Sequence, residues 1–207
     1  MTLKTAVGLT PVRGPGRPRE FNMDKVLDHA IVTFRSRGYT ATSINDLSRA
    51  TGLTAGSLYK AFADKRALFA AAFDRYTSLR NSALRERLDK ANSGLARLRE
   101  ILLFYVESSY DLEGRRGCMV VGGIVELDTY DQALADGVSR ALRRNESLLI
   151  ELIVQGKADG SITADINVET AARLVLCILL GMRVMGKTGR TKEEMAGLVE
   201  LALKVVG

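Results

Sequence analysis

The residues with chemistry to offer are few. A single histidine, His29, and two cysteines, Cys118 and Cys177, are all the chain has of those types. With one histidine, a Ser-His-Asp triad in the larger part of the chain and a multi-histidine metal site are both excluded. The cysteines show neither metal-ligand spacing nor a disulfide framework. Carboxylate or lysine chemistry stays open, but no motif marks it. In "RRGCMVVGG", Arg115 to Gly123, Cys118 follows two arginines and opens an expected helix. Both features lower a thiol pKa, so a redox or electrophile sensor is one reading. A buried, inert thiol is the other. The glycines here lack the Gly-Lys-Ser/Thr ending of a phosphate loop, and no metal or cofactor motif occurs elsewhere.

A second set of residues is built for polyanions. Net charge is +6. Residues 1–70 hold eleven Lys/Arg against five Asp/Glu, whereas residues 71–207 hold nineteen of each, so the whole excess lies in the first third. That asymmetry suggests a polyanion-binding module joined to a neutral one. The stretch "RGPGRPREF", Arg13 to Phe21, concentrates part of it.

The elements that must position these residues read as helices throughout. Val26, Leu27, Ala30, Ile31 and Phe34 recur at helical spacing up to Gly38. Ser43 and Asp46 fit a capping box for a second helix, whose apolar face is Ile44, Leu47 and Ala50. Gly52 breaks it, and Thr54 caps a short third helix carrying Leu58 and Phe62. Two short helices joined by a glycine turn form a helix-turn-helix signature. Asp64 caps a fourth helix. Longer helices are expected over about 64–90, 94–111, 118–128, 131–158, 167–187 and 191–206, with breaks at Ser93-Gly94, Gly114, Gly160 and Gly186–Gly189. The longest apolar run, Leu174 to Met182, lies between Arg173 and Arg183 and is about half of the roughly 20 residues a membrane span needs. The first twelve residues lack the apolar stretch of a signal peptide. A cytoplasmic protein with no membrane partner is the expectation.

"GYTATSINDLSRATGLTAGSLYKAFADKRALF", Gly38 to Phe69, strongly resembles the DNA-binding domain of TetR/AcrR-type bacterial transcription regulators. The resemblance covers about residues 20–80. It implies an all-α protein: a flexible basic arm at 1–18, a three-helix helix-turn-helix DNA-binding domain at 19–79, and a larger helical ligand-binding and dimerisation domain at 80–207. It implies no enzyme. The partners would be a palindromic double-stranded operator, a second copy of the chain and a small effector. An effector favouring one dimer conformation would lower DNA affinity, with the fourth helix as the lever. A ligand-responsive repressor is the leading reading; the alternatives are an architectural DNA-binding protein and a thiol-based sensor working through Cys118.

Carried over by position, the recognition helix spans Thr54–Phe62. Thr54, Ala55, Gly56 and Ser57 lie where base edges or close backbone contacts occur. Tyr59 and Lys60, Thr42 and Ser43, and Lys65 would meet phosphates, which set register while bases set sequence. Ala61 stands where the family usually carries His or Tyr, and Ala55 is short, so thymine methyls and DNA shape would carry more of the specificity. Arg17 and Arg19 in "GRPR" are expected to reach the minor groove beside a half-site; the alternative is a solvated leader.

In the second domain the resemblance implies a dimer pair from the last two helices, with Leu174, Val175, Ile178, Leu179 and Met182 at the interface. A core helix without a partner is the competing reading. Effector-pocket candidates are Phe104, Tyr105, Tyr110, Cys118, Met119, Val120, Glu126 and Tyr130, since tyrosines and a carboxylate among apolar groups can orient a small amphipathic molecule. Plain core residues are the competing reading here too.

Overall fold

A computed structural model describes residues 22–204 and contains, among them, only helices and their connections. Ten α-helices follow in order: α1 (Met23–Arg37), α2 (Ile44–Thr51), α3 (Ala55–Ala61), α4 (Lys65–Leu88), α5 (Gly94–Glu107), α6 (Asp111–Arg116), α7 (Met119–Val125), α8 (Gln132–Asp159), α9 (Val168–Gly186) and α10 (Lys192–Leu203). A single 3₁₀ turn, Leu127–Thr129, separates α7 from α8.

Local chemistry explains the helix starts. Asn22, Ser43, Thr54, Asp64, Ser93, Asp131, Asn167 and Thr191 each accept a backbone N–H from the first turn, satisfying a donor that the helix cannot. Ser43 and Asp46 form the expected reciprocal capping box. Gly52, at φ 71°, turns the chain from α2 towards α3 in a left-handed conformation.

Two apolar cores result. The first unites α1–α3 with the opening half of α4 through Phe34, Leu47, Leu58, Phe69 and Phe73, and continues into α7 and α8 through Met119, Val120, Leu134, Val138 and Ala141. The second fills the larger body between α5, α8, α9 and α10 and includes Leu84 and Leu88 from the far end of α4. α4 therefore belongs to both cores, and the expected boundary at 79/80 falls inside one continuous helix.

The stretch expected as one helix over 94–111 ends at Glu107, and α6 follows as a separate element. Gly114 does not break a helix. It lies buried within α6, where an added Cβ would crowd the Ser109 backbone. The break falls earlier, at Ser108–Tyr110, and is marked by Asp111 at φ 47°.

Candidate functional site

The head displays a small polar surface around α3. Thr54, Gly56, Tyr59 and Lys60 are exposed, and Ala55 and Ser57 are half-exposed. Tyr59 is 52% exposed despite its ring, an arrangement that leaves a phenol free at the helix surface. Thr54 accepts from the Ser57 N–H at 3.1 Å, which fixes the start of α3. Leu58 points the other way into the core. Ser43 is exposed at the start of α2.

Two expected phosphate contacts have other partners. Thr42 is buried, and its hydroxyl donates to the Gly38 carbonyl at 2.6 Å. The Lys65 ammonium donates to the Tyr39 and Thr42 carbonyls at 3.0 Å each and lies 4.3 Å from the Tyr39 ring centroid. Both side chains shape the turn between α1 and α2 rather than face outwards. Arg17 and Arg19, with the rest of the basic arm, lie outside the described residues.

Beneath the head, a cavity of about 290 Å³ opens between α1, α7 and α9. Phe34, Tyr39, Phe69, Met119 and Tyr130 supply apolar wall; Arg35, Cys118, Glu126, Arg183 and Lys187 supply its polar groups. A smaller cavity of about 30 Å³ is lined by Tyr76, Arg80, Phe104, Tyr105 and Val120. Cys118 faces both. The expected pocket residues are thus divided between two cavities that meet at one sulfur. Tyr110 lines neither and packs against the body core.

Three arginines that the sequence reading missed organise this region. Arg35, almost buried on α1, donates through Nε to the Gly117 carbonyl at 2.9 Å and pairs with Glu113 at 2.8 Å. Arg183, on α9, donates to the same carbonyl at 2.7 Å. Gly117 is therefore clamped between the head and the body. Arg80, on α4, donates to Ser108 Oγ at 3.0 Å and lies 5.6 Å from the Tyr76 ring centroid. Tyr76 donates its hydroxyl to Cys118 Sγ at 3.5 Å.

These neighbours set the thiol's charge. Burial alone would push Cys118 up, but the Arg183 and Arg80 guanidiniums, with the Tyr76 hydroxyl, outweigh it and hold the thiol below its ordinary value. Burial pushes the Tyr76 phenol well above its own, so it remains a donor. The Glu126 carboxylate accepts from Thr40 N at 2.9 Å and Thr40 Oγ1 at 3.0 Å, fastening α7 to the turn that precedes α2.

On α9, Val175, Leu179 and Met182 are buried inside their own subunit, each about 1% exposed. They cannot offer surface to a second chain. Leu174, Cys177, Val184 and Met185 are exposed on the other face, with Ile178 and Gly181 half-exposed. On α10, Leu201 is exposed as well. Among the described residues no cluster of His, Cys, Asp and Glu could hold a metal ion. Among them, too, no helix is long and apolar enough to cross a membrane.

Comparison with known proteins places this geometry. Residues 26–72 match the model for bacterial regulatory proteins of the tetR family, and residues 94–200 match that for the tetracyclin repressor-like C-terminal domain. The chain is 28% identical to the uncharacterised HTH-type transcriptional regulator YezE of Bacillus subtilis, over 92% of this chain and 99% of that one. It is also 28% identical to the HTH-type transcriptional repressor ComR of Escherichia coli, over 92% and 91%. A solved structure of the TetR family regulator CifR, a cysteine mutant complexed with 26-base-pair operator DNA, aligns with TM-score 0.82 and 31% identity, over 93% of this chain and all of the other. The two matched models, the helix-turn-helix head and the helical body together show that the chain belongs to the TetR family of DNA-binding transcriptional regulators.

Proposed function

We propose that the protein is a homodimeric repressor that binds a palindromic operator and leaves it when a small effector occupies the cavity between α1, α7 and α9. The observation that carries this reading is the double membership of α4. One end anchors the head core and the other anchors the body core. A change in body packing therefore moves the head as a unit. In a dimer, that motion alters the separation of two α3 helices, which must match half-sites about 34–36 Å apart.

On this reading Thr54, Ala55, Gly56 and Ser57 approach base edges, Ser43, Tyr59 and Lys60 meet phosphates, and Arg17 and Arg19 enter the adjacent minor groove. Ser43, whose hydroxyl bonds Asp46 in the capping box, shares the exposed head surface with Thr54, Gly56, Tyr59 and Lys60 of the α3 region. The relation to CifR, whose structure contains operator DNA, supports the same docking.

Selection of fragmented genomic DNA by the purified protein at near-physiological salt tests the proposal. One enriched palindrome is expected. Enrichment with no shared motif would overturn the operator reading in favour of an architectural protein.

A further inference from the structure

We propose that Cys118 is a covalent sensor for small soft carbon electrophiles, its thiolate serving as counter-anion to Arg183 and Arg80, and that alkylation loosens the Gly117 clamp between body and head. The proposal deepens the effector reading above by naming the effector's chemical class.

Three observations converge on it. Arg183 is 1% exposed and lines the larger cavity beside Cys118, yet its Nε–H has no acceptor. An unpaired buried donor next to empty space awaits an acceptor from outside the chain. Second, neither Arg183 nor Arg80 has a carboxylate partner among its hydrogen bonds: Arg183 bonds to Ser109 and Gly117, and Arg80 to Ser108. Two enclosed cations then lack an anion, and Cys118, which lines the larger cavity with Arg183 and the smaller one with Arg80, is an ionisable group beside both. Third, Gly117, adjacent to the sulfur, is the carbonyl on which Arg183 and Arg35 converge. Any movement at residue 118 is felt directly by α1.

The cavity selects the chemistry. Its walls are largely apolar, and about 290 Å³ admits a molecule of several heavy atoms. Cys177 is exposed on α9 and lines neither cavity, so no second thiol within the chain is poised to resolve an oxidised sulfur. An α,β-unsaturated carbonyl fits these limits. The thiolate attacks the β-carbon and a C–S bond forms. The C=C π pair moves through the carbonyl onto its oxygen, where the Arg183 Nε–H can donate to the developing enolate. Water then supplies a proton, and no group leaves. The product is a neutral thioether. The two guanidiniums lose their counter-anion while Arg183 gains an alternative acceptor, so its bond to Gly117 weakens.

The test uses acrolein on the full-length protein. Intact-mass and peptide mass spectrometry should find the first adduct on Cys118, formed at pH 7 at least about tenfold faster than on Cys177 despite the latter's exposure. The rate–pH profile should rise at lower pH in the wild type than in Arg183→Met. Charged and titratable groups around the sulfur are Tyr76 and Arg80 on α4, Tyr105 on α5, Arg183 on α9 and Arg144 on α8, and across the larger cavity Arg35 and Arg37 on α1 with Tyr39, Glu126, Tyr130 and Lys187; the Glu113 carboxylate is held by Arg35 and Arg116. The adduct should lower affinity for the selected operator by at least about fivefold, roughly the smallest usual allosteric coupling. Cys118→Ser also removes the anion, so it should bind operator more weakly than the untreated wild type and change no further with acrolein, whereas Cys177→Ser should respond as the wild type does. Preferential labelling of Cys177, an unshifted profile in Arg183→Met, unchanged operator affinity of the adduct, or release of Cys118→Ser by acrolein would each overturn the proposal. If the untreated protein selects no operator, the repressor reading fails by itself, and the labelling rates still decide whether Cys118 is the reactive thiol.

Discussion

At the residue scale, two lysines of similar sequence character separate cleanly. Lys60 is exposed on α3, whereas the Lys65 ammonium bridges two carbonyls over an aromatic ring. Lys60→Ala should leave thermal stability nearly unchanged and reduce the salt slope of operator binding by roughly 0.9. Lys65→Met should lower unfolding free energy by about 1–2 kcal/mol, since charge-assisted bonds to partly buried carbonyls are lost. Denaturant melts and salt titrations of both variants check this; equal stabilities would contradict the assigned contacts. Glu113 gives a matching pH prediction. Burial pulls its carboxyl up, but the Arg35 bond and charge, then those of Arg116, hold it below the ordinary value. A depressed folded-state pKa contributes stability above the unfolded value, near 4.3, and loses it as pH falls through the lower folded value. Wild type should therefore lose more stability than Glu113→Gln on acidification through that window, as followed by urea midpoints.

At the scale of elements, the Glu126–Thr40 contact is a further tie between body and head, beside the Gly117 clamp and the Arg66–Asp131 pair. Gly38 adjoins it at φ 82°, and a Cβ there would overlap the Glu126 carboxylate. Gly38→Ala should cost about 1–2 kcal/mol through left-handed strain and displacement of Glu126. A double-mutant cycle of Thr40→Val and Glu126→Ala should return a coupling of roughly 0.5–1.5 kcal/mol; a coupling near zero would mean the two groups do not act together. These elements also show why some structure was readable and some was not. Ser43, Thr54 and Asp64 announce their helices because each side chain makes the cap it suggests. α6 and α7 begin at Tyr110 and Cys118 with no side-chain cap, so no start signal distinguishes α6 from the end of α5. The head was legible because its contacts are local. The cavity was not, because Arg35, Glu126 and Arg183 meet their partners across 66 to 86 residues of chain. The position of Arg183 did carry a trace: a charge one residue beyond an apolar run looks like a flank, yet it falls four residues after Leu179, on the buried face.

At the scale of the whole molecule, the proposed dimer must use a face of which the sequence pattern singled out only Leu174 and Ile178. Apolar positions on α9 form two stripes, and one of them, Val175, Leu179 and Met182, is already consumed by the body core. Leu174, Cys177, Val184 and Met185, with Leu201 on α10, remain at the surface of an isolated subunit, where exposed leucines and a methionine signal an association site. Gly181 has open space at its Cβ position, which allows another backbone to come close. A charge placed on this stripe should therefore break assembly without breaking the fold. Leu174→Glu, at a position 43% exposed, should sediment as a monomer, keep its helical signal, and melt as a folded domain. Val175→Glu, one residue away and buried, should instead lose cooperative folding, because an unpaired carboxylate would enter the core. Operator affinity should fall for the folded monomer, since each half-site then binds alone and loses the effective concentration that a tethered second head provides. If Leu174→Glu sediments as the wild type does, the interface lies elsewhere; if Val175→Glu is monomeric and fully folded, the assignment of the two stripes must be exchanged.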